Sequence, residues 1–567
     1  MSEFDKGVFC EAAGDDTAIA ICASFDYTDA AVGEVTSGLD VFYLLFAGAM
    51  VFFMQSGFAM LCAGSIRQKA SSGVVVCPLI SICQRLTNQI NPQLRTSKIL
   101  CSRYVRGRLV SLRRSISLTD TDASEEHPRR VRRRSRVLVN RVRPRLRWSR
   151  LCRALQGPCL SSSALPCFES DNPDSPQRPL PMLQFEAYLC YSIMLTGFVY
   201  PVVVYSIWSS SGFLTAFNDN PTFGCGMHDF AGSGVVHMTG GMTALVAAKV
   251  LGPRIGKRLG VVIGPIFYYL TQHVGLSAGR FFDADGNELP EPHTFPPHSV
   301  ALQVLGTFIL WVGWYGFNPG STLAIASAAS GNVAALCAVT TTIAAATSAV
   351  TAMFTDMLMT RKKTGETMYD ITMAMNGALG GLVSITAGCS VVTPWAAFII
   401  GIIGGWTYIF WSSLLVKLKI DDAVDAIPVH FGCGIWGCIA VGLFAKPSLV
   451  GEAYGEHGHY GVFYNVSDWN LFACQICGVL WIIGWVAMLP SDSPFFHVLN
   501  ILGLFRVDTV EEEVGLDISH HKGAAYDLSG PTEAQVEKYE ISTSQRKLEV
   551  PKDDGEEAPK DDGEDAA

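Results

Sequence analysis

The chain reads as an all-α polytopic membrane protein, and three observations carry that reading. Of its 567 residues 49% are hydrophobic and only 16% charged, well below the quarter that carries charge in soluble domains. Apolar runs of about 20 residues, long enough to cross a bilayer as a helix, recur along it. These runs lack the period-two alternation of a membrane barrel. They also hold much of the glycine, as in GGMTALVAA, GALGGLVSITAG and FIIGIIGGW, where small side chains let helix backbones approach closely.

Nine spans follow in order. The first, 41–63, is followed by Arg67 and Lys69. The second, 187–208, leads into a loop whose segment 218–223 has no cation, and the third, 230–250, is followed by Arg254, Lys257 and Arg258. After the fourth, 299–318, the fifth at 332–358 runs into Arg361, Lys362 and Lys363; the sixth is 371–389. The seventh, 394–415, ends at Lys417 and Lys419, while a cation-free stretch, 448–470, separates the eighth (427–445) from the ninth (470–489). Basic clusters thus mark alternate ends, and cytoplasmic loops retain positive charge. The rule places the N-terminus outside and the C-terminus inside. The first forty residues, with nine acids against Lys6, suit an outer segment and are no signal peptide. Residues 259–278 are apolar enough for a tenth crossing, but one there would invert every downstream cluster, so they read as a non-spanning insertion.

Ionisable groups at membrane depth are costly and functional by default. His237 and His430 share a context: each reads Val-His-x-x-x-Gly, with Gly241 and Gly434, and an acid upstream, Asp229 or Asp425. This looks like an internal repeat, and repeats in transporters place their sites at the repeat interface. A satisfied core histidine is the plainer reading of either alone. Asp229 equally suits a helix cap accepting first-turn amides. The stretch 311–321, WVGWYGFNPGS, packs aromatics, three glycines and an Asn-Pro break together; aromatics there are commonly packing, but a break exposes backbone that must line protein or a cavity. CQIC at 474–477 has redox spacing but no nearby charge to activate a thiol. No nucleophile–base set and no metal-spaced cluster appears, so neither an enzyme nor a cofactor or metal is expected.

The motifs FMQSGFAMLCAGSIRQK, AYLCYSIMLTGFVYPVVV, DFAGSGVVHMTGG, LGTFILWVGWYGFNPGSTLA, NGALGGLVSITAGC, KLKIDDAVDAIPVHFGCGIWG and GLDISHHKGAAY resemble the ammonium transporter family (Amt/Mep/Rh), its eukaryotic Amt branch above all. The resemblance covers 41–70 and 185–530 apart from the insertion. It implies an eleven-helix fold built from an inverted repeat, a homotrimer with one pore per subunit, and passage of ammonium or ammonia across the lipid bilayer, with the plasma membrane as the expected location. Carried over by motif, His237 and His430 are the twin pore histidines, Trp208 and Ser321 the outer recruitment site, Asp229 the acid near it, and Phe317 one of two gating phenylalanines. Trp314, Asn318 and Asp425 support the pore. Asp517 and Ser519 lie in the segment through which one subunit's tail touches the next, and a phosphate on Ser519 would add roughly −1.5 to −2 charge there. Asn465 opens a glycosylation sequon in a loop expected outside.

The sequence also departs from the family. Residues 71–180 hold 21 of the 42 Lys and Arg and seven acids, a net +14 in a chain of net −9. This block stands where the family has its second and third helices, and no run in it is long enough to cross. The outer phenylalanine gate belongs to that lost third helix. Anionic-lipid or nucleic-acid binding, a solvated linker, and translated non-coding sequence compete to explain it; the near absence of lysine and of any period favours the last, and no nucleic-acid partner is expected. The organisation is therefore an extracellular segment (1–40), the first span (41–70), the Arg-rich block (71–182), the transporter core (183–490, with the insertion at about 258–278), a cytoplasmic regulatory segment (491–530) and an acidic disordered tail (531–567). A transporter is the leading expectation. A sensor, or a transport-defective subunit, is the alternative that the missing helices raise.

Overall fold

The computed structural model describes residues 16–65, 185–251, 255–258, 277–279, 299–455 and 458–488, with isolated positions between 281 and 297 and at 498–502. The Arg-rich block, most of the apolar insertion, Asp517, Ser519, the acidic tail and Cys10 lie outside the described residues.

Among the described residues ten α elements follow one another: α1 (Asp16–Ser65), α2 (185–208), α3 (233–251), α4 (Val300–Phe317), α5 (Ala328–Thr364), α6 (Ile371–Thr386), α7 (Pro394–Lys417), α8 (Ile427–Phe444), α9 (Pro447–Tyr454) and α10 (Asn470–Met488). Seven described helices are long and apolar enough to cross a membrane: α1, α2, α4 with the turn after it, α5, α7, α8 and α10. The fold is all-α and multi-spanning, and α6 is a shorter apolar helix. Large apolar side chains such as Phe308, Trp406, Phe410 and Leu480 lie exposed on the helices, as a bilayer solvent requires.

Local sequence sets the ends. The Ser299 hydroxyl accepts from the Leu302 amide at the start of α4, Ser327 from Ser330 at the start of α5, and Asp370 from Thr372 and Met373 at the start of α6, each satisfying a first-turn donor. Pro394 opens α7, where its missing N–H costs nothing. The glycines predicted to admit close packing do so around α5, where a Cβ on Gly381 of α6 or Gly401 of α7 would lie 2.5 Å from the Ala344 carbonyl oxygen; Gly306 does the same between α4 and α1, 2.4 Å from the Leu61 amide nitrogen.

Two features differ from the sequence reading. The outer segment is not separate from the first span, because α1 begins at Asp16 and runs unbroken for 50 residues. Its acids and its glycines, Gly33 and Gly38, hid that continuity. The insertion, in turn, is bracketed by an antiparallel ribbon. Strand β1 (Ile255–Arg258) pairs with β2 (Ser277–Gly279), Arg258 opposite Ser277, so the chain leaves and re-enters at one point.

Candidate functional site

The site forms where α3 and α8 begin. Both open with a π turn, Ser233–Met238 and Ile427–Gly432, and each turn carries its histidine. The two imidazoles meet edge to edge: Nδ1 of His237 lies 3.2 Å from Nδ1 of His430, and the rings are 3° from parallel with centroids 5.3 Å apart. Both are buried.

The Val-His-x-x-x-Gly pattern explains this meeting. A Cβ on Gly241 would sit 2.3 Å from the Phe431 amide nitrogen and 2.8 Å from the His430 carbonyl carbon. Reciprocally, one on Gly434 would sit 2.8 Å from both the Ser233 oxygen and the Met238 side chain. Each glycine, one turn beyond its own histidine, is the gap into which the other histidine segment fits. Ser233 ties the junction to α6, donating to the Val383 carbonyl and accepting from the Ala387 amide, both at 2.7 Å.

Aromatic rings enclose the pair. Trp314 stacks on His237 (5.3 Å, 9°), Phe317 lies 5.8 Å from the same ring, and Phe58 of α1 lies 6.5 Å from His430. The Trp314 indole donates to Thr386 at 3.1 Å, and Asn318 Nδ2 donates to Thr341 at 2.8 Å. Among the described residues, Nε2 of His237 and Oδ1 of Asn318 are buried polar atoms without a hydrogen-bond partner. The aromatic stretch 311–321 therefore lies on the histidine pair, and its Asn-Pro break ends α4 in a single short turn, Pro319–Thr322.

Asp229 is a cap. One carboxylate oxygen accepts from Gly232 (3.1 Å), the other from Gly234 (3.0 Å) and Val235 (2.8 Å). The chain reaches this geometry through Gly232, whose φ is 111°. The Trp208 indole donates to the Asp229 carbonyl at 2.7 Å, which fixes the half-buried ring beside the start of α3. Ser321 donates to the Phe317 carbonyl at 3.0 Å, leaving its oxygen able to accept.

The second acid needs a correction. The sequence reading pairs Asp229 with Asp425, but the counterpart cap is Asp422, which accepts from Val424 (3.4 Å) and Ile427 (2.7 Å). Spacing carried the signal, since Asp229 precedes His237 by the same interval as Asp422 precedes His430. Burial pushes Asp422 up to about 7, with the neighbouring Asp425 adding to the shift against the amides of Ile427, Ala426 and Val424. Asp425 turns instead to α7. It accepts from the Tyr408 hydroxyl at 2.6 Å and from Ser412 at 3.3 Å, with a left-handed φ of 55°. Asn376 donates to Tyr408 at 3.1 Å. Phe58 was also missed as a neighbour of the pair: it lay inside a quoted motif, but nothing in α1 alone points it at His430.

A profile of the Ammonium Transporter Family matches residues 182–261 and 274–526. The chain belongs to the ammonium transporter family. It is 36% identical to tomato (Solanum lycopersicum) ammonium transporter 1 member 3 over 88% of its own length and 95% of that protein's. It is 40% identical to ammonium transporter 1 member 2 of Arabidopsis thaliana over 60% of its length, a match spanning 62% of that relative. These relatives place this family member in the eukaryotic, plant-like Amt branch, among transporters rather than enzymes. The fold is shared with two solved structures, a Sensor Amt Protein (TM-score 0.57, 22% identity, 86% of this chain and 99% of that one) and Candida albicans Mep2 (TM-score 0.55, 21%, 85% and 88%). The exposed Asn465 carries its sequon in the loop before α10, its Oδ1 accepting from the Ser467 amide at 3.2 Å.

Proposed function

We propose that this chain is a membrane transporter of ammonium, and the observation that carries the reading is the His237–His430 pair held at 3.2 Å between two capped π turns. At that separation one proton lies between the two Nδ1 atoms. The neutral pair then offers the pore one Nε2 that accepts and one Nε2–H that donates, which suits ammonia, a molecule that does both. A bare cation passing these rings would need its hydration shell replaced, as carbonyl rings do in potassium channels. Ammonium instead rests over Trp208, a cation–π contact of about 0.5–2 kcal/mol, and donates to Ser321. It loses its proton near the vestibule, and ammonia passes Phe317 and the histidines. This avoids a desolvation cost of several kcal/mol. Trp314 and Asn318 hold the lining, Asp229 and Asp422 the two histidine turns, and Asp425 the inner end. The coupled histidines titrate as a unit and can relay the released proton.

The wider reading is an eleven-helix family fold with an inverted repeat, lacking its second and third helices here, assembled as a homotrimer in the plasma membrane with the N-terminus outside and the C-terminus inside. The 183–490 core is supported by the profile match, which begins at 182 and skips 262–273 within the insertion. A phosphate on Ser519, beside Asp517 in the tail segment, closes the pore. Uptake of methylammonium by a transport-deficient yeast is the test, with His237→Ala as control. No uptake by a chain that reaches the surface overturns the proposal for this sequence. That outcome favours the second reading, a sensor or transport-defective subunit, which the Arg-rich replacement of two family helices supports.

A further inference from the structure

One face of α1 turns toward α4 in steps of three and four. Asp40, Tyr43, Ala47, Met50, Met54, Gly57 and Leu61 follow one another at that spacing, and Asp40, Ala47, Met54 and Leu61 are all buried, Asp40 to 7% exposure. A spacing near 3.5 residues keeps one seam of a helix against its partner. Glycines set the approach: a Cβ on Gly316 would lie 2.5 Å from the Met50 side chain and 2.9 Å from the Ala47 carbonyl oxygen, and one on Gly57 would lie 2.9 Å from the Gly306 carbonyl oxygen. The seam continues past the end of α4, so its first two members meet the residues that follow. The Thr322 hydroxyl donates to the Tyr43 hydroxyl at 3.4 Å. Oδ1 of Asp40 accepts from both the Ile325 and the Ala326 amides, each at 2.9 Å.

These contacts bear on Ser321, which lies in the turn Pro319–Thr322. The turn closes on Leu323 at a left-handed φ of 60°, and the Leu323 amide donates to the Gly320 carbonyl at 3.1 Å. A leucine is strained there and stays only where its neighbours over-determine it. On one side the hold comes from α4 and α5, through Ser321 donating to the Phe317 carbonyl (3.0 Å) and Asn318 donating to Thr341 (2.8 Å). On the other side residues 323–326 are half-buried and belong to no helix or strand. The amides of Ile325 and Ala326 therefore have no ladder to join, and their acceptor is supplied from α1. A carboxylate oxygen accepting from backbone amides makes a strong, short bond, so Asp40 fixes the stretch between Ser321 and the start of α5.

We propose that Asp40 is a positioning residue for the ammonium recruitment site: by holding residues 323–326 it keeps the Ser321 hydroxyl where the cation is received. The inference rests on the transport reading given above. Asp40 acts through the place of one oxygen rather than through its charge, because Oδ1 alone accepts both amides. Methylammonium uptake by the full chain in the transport-deficient yeast, scaled to surface protein, separates the two. Asp40→Asn keeps an oxygen in place and loses the charge. Asp40→Glu keeps the charge and moves the oxygen by one carbon–carbon bond, about 1.5 Å. Asp40→Ala removes both. KM is expected to stay within about two-fold of the parent for Asp40→Asn and to rise about five-fold or more for Asp40→Glu and Asp40→Ala, with Vmax held, since binding is what is lost. A raised KM for Asp40→Asn overturns the proposal in favour of a charge that draws the cation. An unchanged KM for Asp40→Glu overturns it as well, and if Vmax or surface protein falls at that unchanged KM the acid is purely structural. The Asn and Glu variants decide the matter even where Asp40→Ala fails to reach the membrane. A parent chain without uptake removes the transport reading and this inference together, whereas the other adverse results leave that reading standing.

Discussion

Replacing Gly241 by alanine sets two effects of opposite sign against each other. In a helix interior with open space, Gly→Ala stabilises by about 1 kcal/mol through helix propensity. At Gly241 the new methyl carbon would lie 2.3 Å from the Phe431 nitrogen, a backbone atom that no rotamer change can move. An ordinary contact needs about 3.4 Å, so the start of α8 must shift by roughly 1 Å, and overpacking on this scale costs about 1–3 kcal/mol. The shift falls on the segment that holds His430, and the 3.2 Å bond to His237 stretches beyond hydrogen-bonding range. A misplacement of about 1 Å at a reacting pair is worth about 100-fold, so uptake is expected to fall on that order while the melting temperature also falls. Gly484→Ala, a helical position with nothing within 4 Å of the added carbon, serves as the control and is expected to be neutral or stabilising. Thermal unfolding of the detergent-purified full chain and methylammonium uptake read the two effects. A Gly241→Ala protein that melts higher than its parent and transports equally well would refute the packing argument.

Three further outcomes follow from the same geometry. Asp229→Ala leaves three amides, those of Gly232, Gly234 and Val235, without their acceptor, and a loss of at least about 3 kcal/mol is expected; Ser327→Ala, an exposed single cap, should cost about 1 kcal/mol in the same unfolding assay. Asp422 binds its proton more tightly folded than unfolded, from 3.8 up to about 7, so its contribution favours the folded state at low pH and is lost as pH rises from about 4 to 7. On the order of 4 kcal/mol rides on that window, and Asp422→Asn should flatten the fall in stability between about pH 4 and 7; an unchanged slope would argue against the buried carboxyl. Replacing residues 259–276 by Asn-Gly should leave the melting temperature unchanged, because Arg258 and Ser277 already face each other and Asn-Gly suits a two-residue hairpin; a lower value would give the insertion a structural part.

Much of this molecule was legible because membrane burial writes itself strongly into sequence. All the runs read as spans but the first match helices to within about six residues, and the repeated Val-His-x-x-x-Gly placed two histidines that do meet. The glycine in that pattern was visible, but its reason was not, since each glycine serves the opposite segment and reciprocity appears only in three dimensions. An acid upstream of each histidine is visible in sequence, but which acid caps the turn is decided by how far a carboxylate reaches to the free amides of a π turn, and Asp422 rather than Asp425 stands at that distance. Phe58 approaches His430 from a helix held against α4 by the neighbouring Gly57, which packs on Gly306, and no pattern within α1 points toward α8. The extent of α1 was hidden because acids and two glycines lower the hydropathy of residues 16–40 without interrupting the helix.

The β1–β2 ribbon has a use beyond marking a seam. The chain departs and returns on adjacent strands, which run about 4.8 Å apart, and the profile of the family runs on either side of the residues it encloses. A position where both ends of an added segment are already clamped together is a graft point. A fluorescent protein whose own termini lie close together should sit there as a side branch, on a stem long enough to report movement of α3 against α4 and short enough not to absorb it.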